Sequence, residues 1–201
     1  MSKLILASSS PQRAKLLKQI GLDFETVFPG MEEKTWRATN PSEYAMERAI
    51  AKAVEVASKV KEGIILGADT IVTYQGEIIG KPVSRIEASR MLHQLQGTTH
   101  EVITGLALVE AKSRHRLTDY VVTEVTMKSL TEQQINNYVS TGEPLGKAGG
   151  LDVAGRGAIF IEKIRGCFYN LLGLPLAKLA DMLTEFSGSR RPPRNFRRPG
   201  E

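Results

Sequence analysis

Lys3-Leu4-Ile5-Leu6-Ala7-Ser8-Ser9-Ser10-Pro11-Gln12-Arg13 is the stretch that decides the fold class. Leu4–Ala7 is a short apolar run, the length of a buried strand and too short for a helix. Ser10-Pro11 then opens a helix. A serine hydroxyl can accept a backbone N–H as the cap, and proline fits the first helical position. Leu16, Leu17 and Ile20 give that helix one apolar face, and Gly21 can end it. A buried strand that runs straight into a helix is the beginning of an α/β sheet.

Outward from this segment, strand and helix patterns continue to alternate. Phe24–Phe28 alternates like a strand, and Pro29-Gly30 breaks it. Asn40-Pro41-Ser42-Glu43 is a second helix start, with cap, proline and a glutamate three residues on. Tyr44, Ala49, Ile50, Ala53, Ala57 and Val60 then recur at helical spacing. Ile64–Ala68 reads as a short strand and Ile71–Tyr74 as another, the latter joined to Glu77–Ile79 by a Gln75-Gly76 hairpin turn. Ser84 with Glu87 caps a helix to about Gln96. Residues 99–110 and 116–128 form two long β-rich runs, and Thr131 begins a short helix. Residues 146–157 are a glycine-rich loop. Ala158–Ile164 reads as a strand with Phe168–Leu172 as its partner, and the last helix runs from about Pro175 to Phe186. The expected fold is α/β: an elongated mixed sheet flanked by helices, in two lobes.

The balance of 41% apolar and 24% charged residues over 201 positions is that of a globular chain with a real core. No apolar run reaches the roughly 18 residues that span a bilayer. Leu4–Ala7 is too short for a signal-peptide core, and the single cysteine, Cys167, cannot form an internal disulfide. A cytoplasmic, non-membrane protein is therefore expected. The net charge of +5 resembles a nucleic-acid signal until it is located. Residues 187–201 carry five arginines against Glu201, leaving 22 bases and 21 acids in the rest of the chain. A nearly neutral body makes nucleic acid an unexpected partner. Residues 187–201 are expected to be a disordered basic tail after a domain at 1–186.

Four polar clusters interrupt the core-forming runs. Ser8, Ser10 and Arg13 surround a helix N-terminus, which offers free N–H groups and a positive dipole end to phosphate. Taken alone, a well-capped helix with an exposed arginine is the simpler reading of this segment. Asp69-Thr70, at the end of the Ile64–Ala68 strand, places a carboxylate and a hydroxyl where α/β folds bind ligands. An Asp-Thr turn is the plain alternative. Glu32-Glu33 offers oxygen ligands to a hard cation, or is a solvated acidic pair. Lys52 and Lys81 supply point charges for phosphate, or are ordinary surface lysines. Together the four make an inventory suited to phosphoryl chemistry, in which positioning and charge neutralisation do most of the catalysis.

The same residues resemble a known family. Ala7-Ser8-Ser9-Ser10-Pro11-Gln12-Arg13 is similar to the A-S-x-S-P-R-R signature of Maf proteins. The resemblance continues through Glu33, Ala51-Lys52-Ala53, Gly67–Val72, Gly80-Lys81-Pro82, Gly97–Val102, Pro144–Gly149 and Gly173–Leu176. Order and spacing agree over about residues 3–186. The resemblance implies a fold shared with inosine triphosphatase-like proteins, with a cleft between the lobes. It implies hydrolysis of a nucleoside triphosphate to a monophosphate and pyrophosphate, a divalent cation (Mg²⁺ or Mn²⁺) and a homodimer. Carried over by position, Asp69 would be the catalytic base or water-orienting carboxylate. Glu33 and Asp69 would hold the metal, and Ser8, Ser10, Arg13, Lys52 and Lys81 would bind phosphates. Thr70, with Thr99-His100, resembles the subgroup acting on dTTP and UTP rather than on 7-methyl-GTP.

Two departures bear on specificity. Gln12 stands where the family carries arginine. Gly150-Leu151-Asp152-Val153-Ala154-Gly155 stands where the subgroup reads A-Y-G-I-Q-G, so Ala154 has no amide to offer a base edge. The rival readings are a non-catalytic nucleic-acid-binding or cell-division regulatory protein, and an inosine triphosphatase-like enzyme for deaminated purines.

Overall fold

The computed structural model describes residues 3–30 and 40–188. All four residues of β1 (Leu4–Ala7) are buried. This strand pairs in parallel with β2 (Phe24–Thr26) on one side and β3 (Ile64–Tyr74) on the other. A central parallel strand faces core on both sides, which is why its sequence is continuously apolar rather than alternating. The crossovers are helical: α1 (Pro11–Gln19) joins β1 to β2, and α2 (Pro41–Lys59) precedes β3. Both helices start as their sequences predict. Ser10 accepts the Arg13 N–H, and Asn40 accepts the Glu43 N–H at 2.9 Å.

β4 (Glu77–Ile79) pairs antiparallel with β3 across Gln75 and Gly76, both at positive φ as a tight hairpin requires. There follow α3 (Arg85–Leu95), β5 (Thr99–Glu110), β6 (Arg116–Met127), α4 (Glu132–Ser140), β7 (Ile161–Arg165), α5 (Phe168–Leu171) and α6 (Leu176–Phe186). The seven strands form one mixed sheet in the order β2-β1-β3-β5-β6-β7, with β4 on β3. The α/β class with helices and a mixed sheet is as expected.

The chain divides into two compact units. One is Met1–Asp69, Thr104–Val121 and Gly173–Glu201; the other is Thr70–Ile103 and Val122–Leu172. Each has its own core. In the first, Ile5, Ala7 and Ile65 pack with Ala49, Ala53 and Val56 of α2 and with Ala107 and Val109 of β5. In the second, Val72 and Val102 pack with Met91, Leu92 and Leu95 of α3, Ile135 and Tyr138 of α4, and Phe160. Tyr138 and Phe160 meet edge to face, with centroids 5.2 Å apart.

Four local expectations change. The two strands expected at Ile64–Ala68 and Ile71–Tyr74 are one unbroken strand of 11 residues. Asp69 therefore stands inside a strand rather than at its end, because cationic partners compensate its charge there. The strand expected at Ala158–Ile164 begins only at Ile161. Residues Arg156–Phe160 form a 3₁₀ turn, in which a side chain on Gly157 would lie 2.7 Å from the Asp152 carbonyl oxygen. The partner strand expected at Phe168–Leu172 is a helical turn instead. Buried Asn170 fixes that turn, donating from Nδ2 to the Val102 carbonyl (2.8 Å) and to Thr123 Oγ1 (3.1 Å). Ser187 and Gly188, expected as part of the tail, close the last helix instead. The Ser187 and Gly188 N–H groups bond back to Leu183 and Glu185, capping α6. The remainder, 189–201, lies outside the described residues.

Candidate active site

The site grows from a stripe of small residues on α2. Ala45, Ala49 and Ala53 are fully buried at successive helical turns. Opposite them stand two glycines. A methyl group on Gly67 of β3 would lie 2.1 Å from the Ala49 carbonyl oxygen, and one on Gly105 of β5 would lie 2.3 Å from the Ala45 carbonyl. The helix backbone thus rests on the strand backbone. Asp69 follows Gly67 by two residues, so it projects from the same strand face, toward α2. Close approach brings long α2 side chains within reach of a carboxylate that is only 5% exposed.

Both carboxylate oxygens of Asp69 are taken. Lys52 Nζ donates to Oδ1 in a short ion pair, and Arg48 Nε lies 3.3 Å from Oδ2. Lys52 also reaches the Ala68 carbonyl at 3.4 Å. Arg48 was missed by the motif reading, although its place one turn before Lys52 on the same helix face was visible in the sequence.

The strand-to-helix turn supplies the other half. Ser8 is 5% exposed and Arg13 8%. Arg13 donates from Nη1 to Ser8 Oγ (3.1 Å) and from Nε to the Gly173 carbonyl (2.8 Å). Ser8 Oγ also accepts the Ser10 N–H at 3.1 Å, and Ser10 Oγ accepts the Arg13 N–H at 3.4 Å. The two serines therefore shape the turn and aim Arg13. Gln12, beside it, is half-buried.

Electrostatics bind these groups together. Burial pushes the Arg13 guanidinium below its ordinary value, opposed by the attraction of Asp69. Burial likewise pushes the Lys52 ammonium down; Asp69 opposes this, while Arg13 and Arg48 add to it. Two cations thus pair with one carboxylate and a third, Arg13, feels its charge, all in a partly dehydrated place. An excess of buried positive charge is a receptor for a polyanion.

Thr70, Lys81 and Ala154 belong to the second unit. Lys81 is exposed, and its backbone is pinned on both sides. Gly149 donates to the Gly80 carbonyl at 2.9 Å, and Gly146 donates to the Pro82 carbonyl at 3.0 Å. Asp152 folds back into its own loop. Its carboxylate pairs with Lys147 at 2.7 Å and accepts the Ala154 N–H at 3.1 Å. Its own N–H donates to Tyr138 Oη at 2.9 Å. Ala154 itself is exposed. Glu33, the expected metal ligand, and its neighbour Glu32 lie outside the described residues.

The Maf-like protein family profile matches residues 3–186. The chain belongs to the Maf family. This Maf chain is 47% identical over 186 residues to the dTTP/UTP pyrophosphatase of Pelotomaculum thermopropionicum, covering 92% of the chain and 97% of that relative. It is 45% identical over 187 residues to the dTTP/UTP pyrophosphatase of Bacillus anthracis, covering 93% and 97%. Its fold is similar to that of a HAM1 protein from Coxiella burnetii, with a TM-score of 0.51 at 16% identity over 92% of this chain and all of that one. No helix among the described residues of the Maf chain is long and apolar enough to cross a membrane.

Proposed function

We propose that this Maf protein hydrolyses dTTP or UTP between the α and β phosphates, giving the nucleoside monophosphate and pyrophosphate. The observation that carries the reading is the buried carboxylate of Asp69, paired with Arg48 and Lys52 and within the electrostatic reach of buried Arg13. The pyrophosphatase relatives support it. In this mechanism Asp69 orients a water toward the α phosphorus. The water oxygen becomes part of the monophosphate as the bond to the bridging oxygen breaks. Negative charge then builds on the departing pyrophosphate, and Arg13 and Lys52 offset it. The N–H groups at the start of α1, with Ser8 and Ser10, hold phosphate oxygens. Lys81 adds a further cation to the phosphates in this proposal, and Gln12, Thr70 and Ala154 bear on the choice of nucleotide.

Asp69 has the oxygen donors that a hard divalent cation such as Mg²⁺ or Mn²⁺ takes, and Oδ1 would become available to it once Lys52 turns to the phosphates. Glu33 would complete the protein's share of the ligands. When bound, such an ion would neutralise phosphate charge that the three cations leave over. A cytoplasmic homodimer is part of the same proposal.

The test is pyrophosphate release from dTTP, UTP, CTP, 7-methyl-GTP and ITP with Mg²⁺ or Mn²⁺. One pyrophosphate per dTTP or UTP is expected, with none after chelation. A protein that turns over none of the five defeats the reading, and turnover of ITP alone transfers it to the inosine triphosphatase class.

A further inference from the structure

Tyr44, Arg48 and Lys52 follow one another at four-residue intervals on α2, so they share one helix face. Two of them divide Asp69 between them. Lys52 holds Oδ1 and Arg48 Nε lies 3.3 Å from Oδ2. The two cations are anchored differently. The Arg48 guanidinium lies over the Tyr44 ring, 5.7 Å from its centroid, so it is held by an aromatic face as well as by the carboxylate. The Arg48 side chain is 12% exposed, against 19% for Lys52. A guanidinium is a planar fork, fixed once stacked and paired, whereas an ammonium is a point charge on a flexible stem that passes readily between acceptors.

From this asymmetry we propose that Arg48 is a positioning residue, clamping Asp69 through its second oxygen while Lys52 moves from Asp69 to the substrate phosphates. The assignment rests on the pyrophosphatase reading above and goes beyond it. Asp69 must keep one orientation through turnover, yet Lys52 cannot serve phosphate and hold the carboxylate at full strength together. Arg48 resolves that conflict. It needs no contact with substrate, because it acts through the carboxylate, and Tyr44 acts through Arg48.

The experiment compares steady-state kinetics of wild type with Arg48→Met, Arg48→Lys, Tyr44→Leu and Lys52→Met, with thermal melts of each. The probe substrates are dTTP and UTP with Mg²⁺. Arg48→Met should lower kcat by about a hundredfold, the scale of a misplaced reacting group, with KM nearly unchanged. Arg48→Lys should recover part of kcat, since charge returns without the fork. Tyr44→Leu should lower kcat several-fold in the wild-type background and have no effect once Arg48 is Met. Lys52→Met should instead raise KM and lower kcat together, because Lys52 meets the phosphates and offsets the charge of the departing pyrophosphate.

Two results overturn the proposal: kcat unchanged in a folded Arg48→Met protein, or a rise in KM equal to the fall in kcat, which would make Arg48 a substrate ligand. If Arg48→Met does not fold, Arg48→Lys and Tyr44→Leu carry the comparison, and wild-type kcat in both overturns it. Failure of the underlying reading is seen separately, as an absence of pyrophosphate release in the wild type.

Discussion

At the scale of single residues, the proposed mechanism makes Asp69 the group whose loss should matter most. Replacing it with Asn keeps the size and removes the charge. The expected outcome is loss of pyrophosphate release by at least about a thousandfold, read in the assay described above. Lys52, Arg48 and Arg13 would then crowd together with no compensating carboxylate. Thermal or urea unfolding of Asp69→Ala should show destabilisation of about 3 kcal/mol, the scale of breaking one side of a buried ion pair. His100 offers a second, independent measurement. It is 4% exposed, its Nδ1 has no hydrogen-bond partner among the described residues, and burial pushes its pKa down to about 4 from an ordinary 6.5. The unfolded chain therefore takes up this proton near pH 6.5 while the native protein resists until about pH 4. Stability is complete above pH 6.5 and falls as pH drops through that window, by about 3 kcal/mol at the lower end. Urea unfolding at pH 7 and pH 4.5 should show this loss in the wild type and a smaller one in His100→Leu.

At the scale of elements, the contact of α2 with β3 and β5 governs the site. A methyl on Gly67 would lie 2.1 Å from backbone, and backbone cannot rotate away as a side chain can. Gly67→Ala should therefore lift α2, costing about 1–3 kcal/mol of stability and a larger share of activity, because Arg48 and Lys52 move with the helix. Kinetics and melting of the one variant test both effects. The elements also show what the sequence could and could not convey. Helix starts were legible because their signals are local: Ser10-Pro11, Asn40-Pro41, Ser84 and Thr131 all cap helices. Both long central strands were legible from composition, as was the Gln75-Gly76 hairpin. Asp69 reads as a break in a strand only while its partners are unknown. Arg48 was overlooked for the same reason, since a helical arginine looks solvated until a carboxylate is found opposite it. The turn at Phe168–Leu171 depends on Asn170 meeting Val102 and Thr123, residues more than 40 positions away. Local pattern carries no trace of such pairing.

At the scale of the whole molecule, charge and catalysis are separable. Residues 189–201 hold five arginines and one glutamate, so a protein ending at Gly188 would carry a net charge near +1 in place of +5. Its pyrophosphate release should match that of the full chain, while any retention on a cation-exchange column should shrink, which one column run and one assay decide. A final consequence concerns how the protein comes into being. The bond from Arg13 to the Gly173 carbonyl joins positions 160 residues apart. Arg13 can find Ser8 at once, but its second anchor is made only 160 residues later. A chain emerging at about 5–20 residues per second leaves that arginine without its Gly173 contact for roughly 10–30 s. The cationic surroundings of Asp69 are thus completed by a contact of very long sequence separation, and they come together only once the chain has been made as far as Gly173.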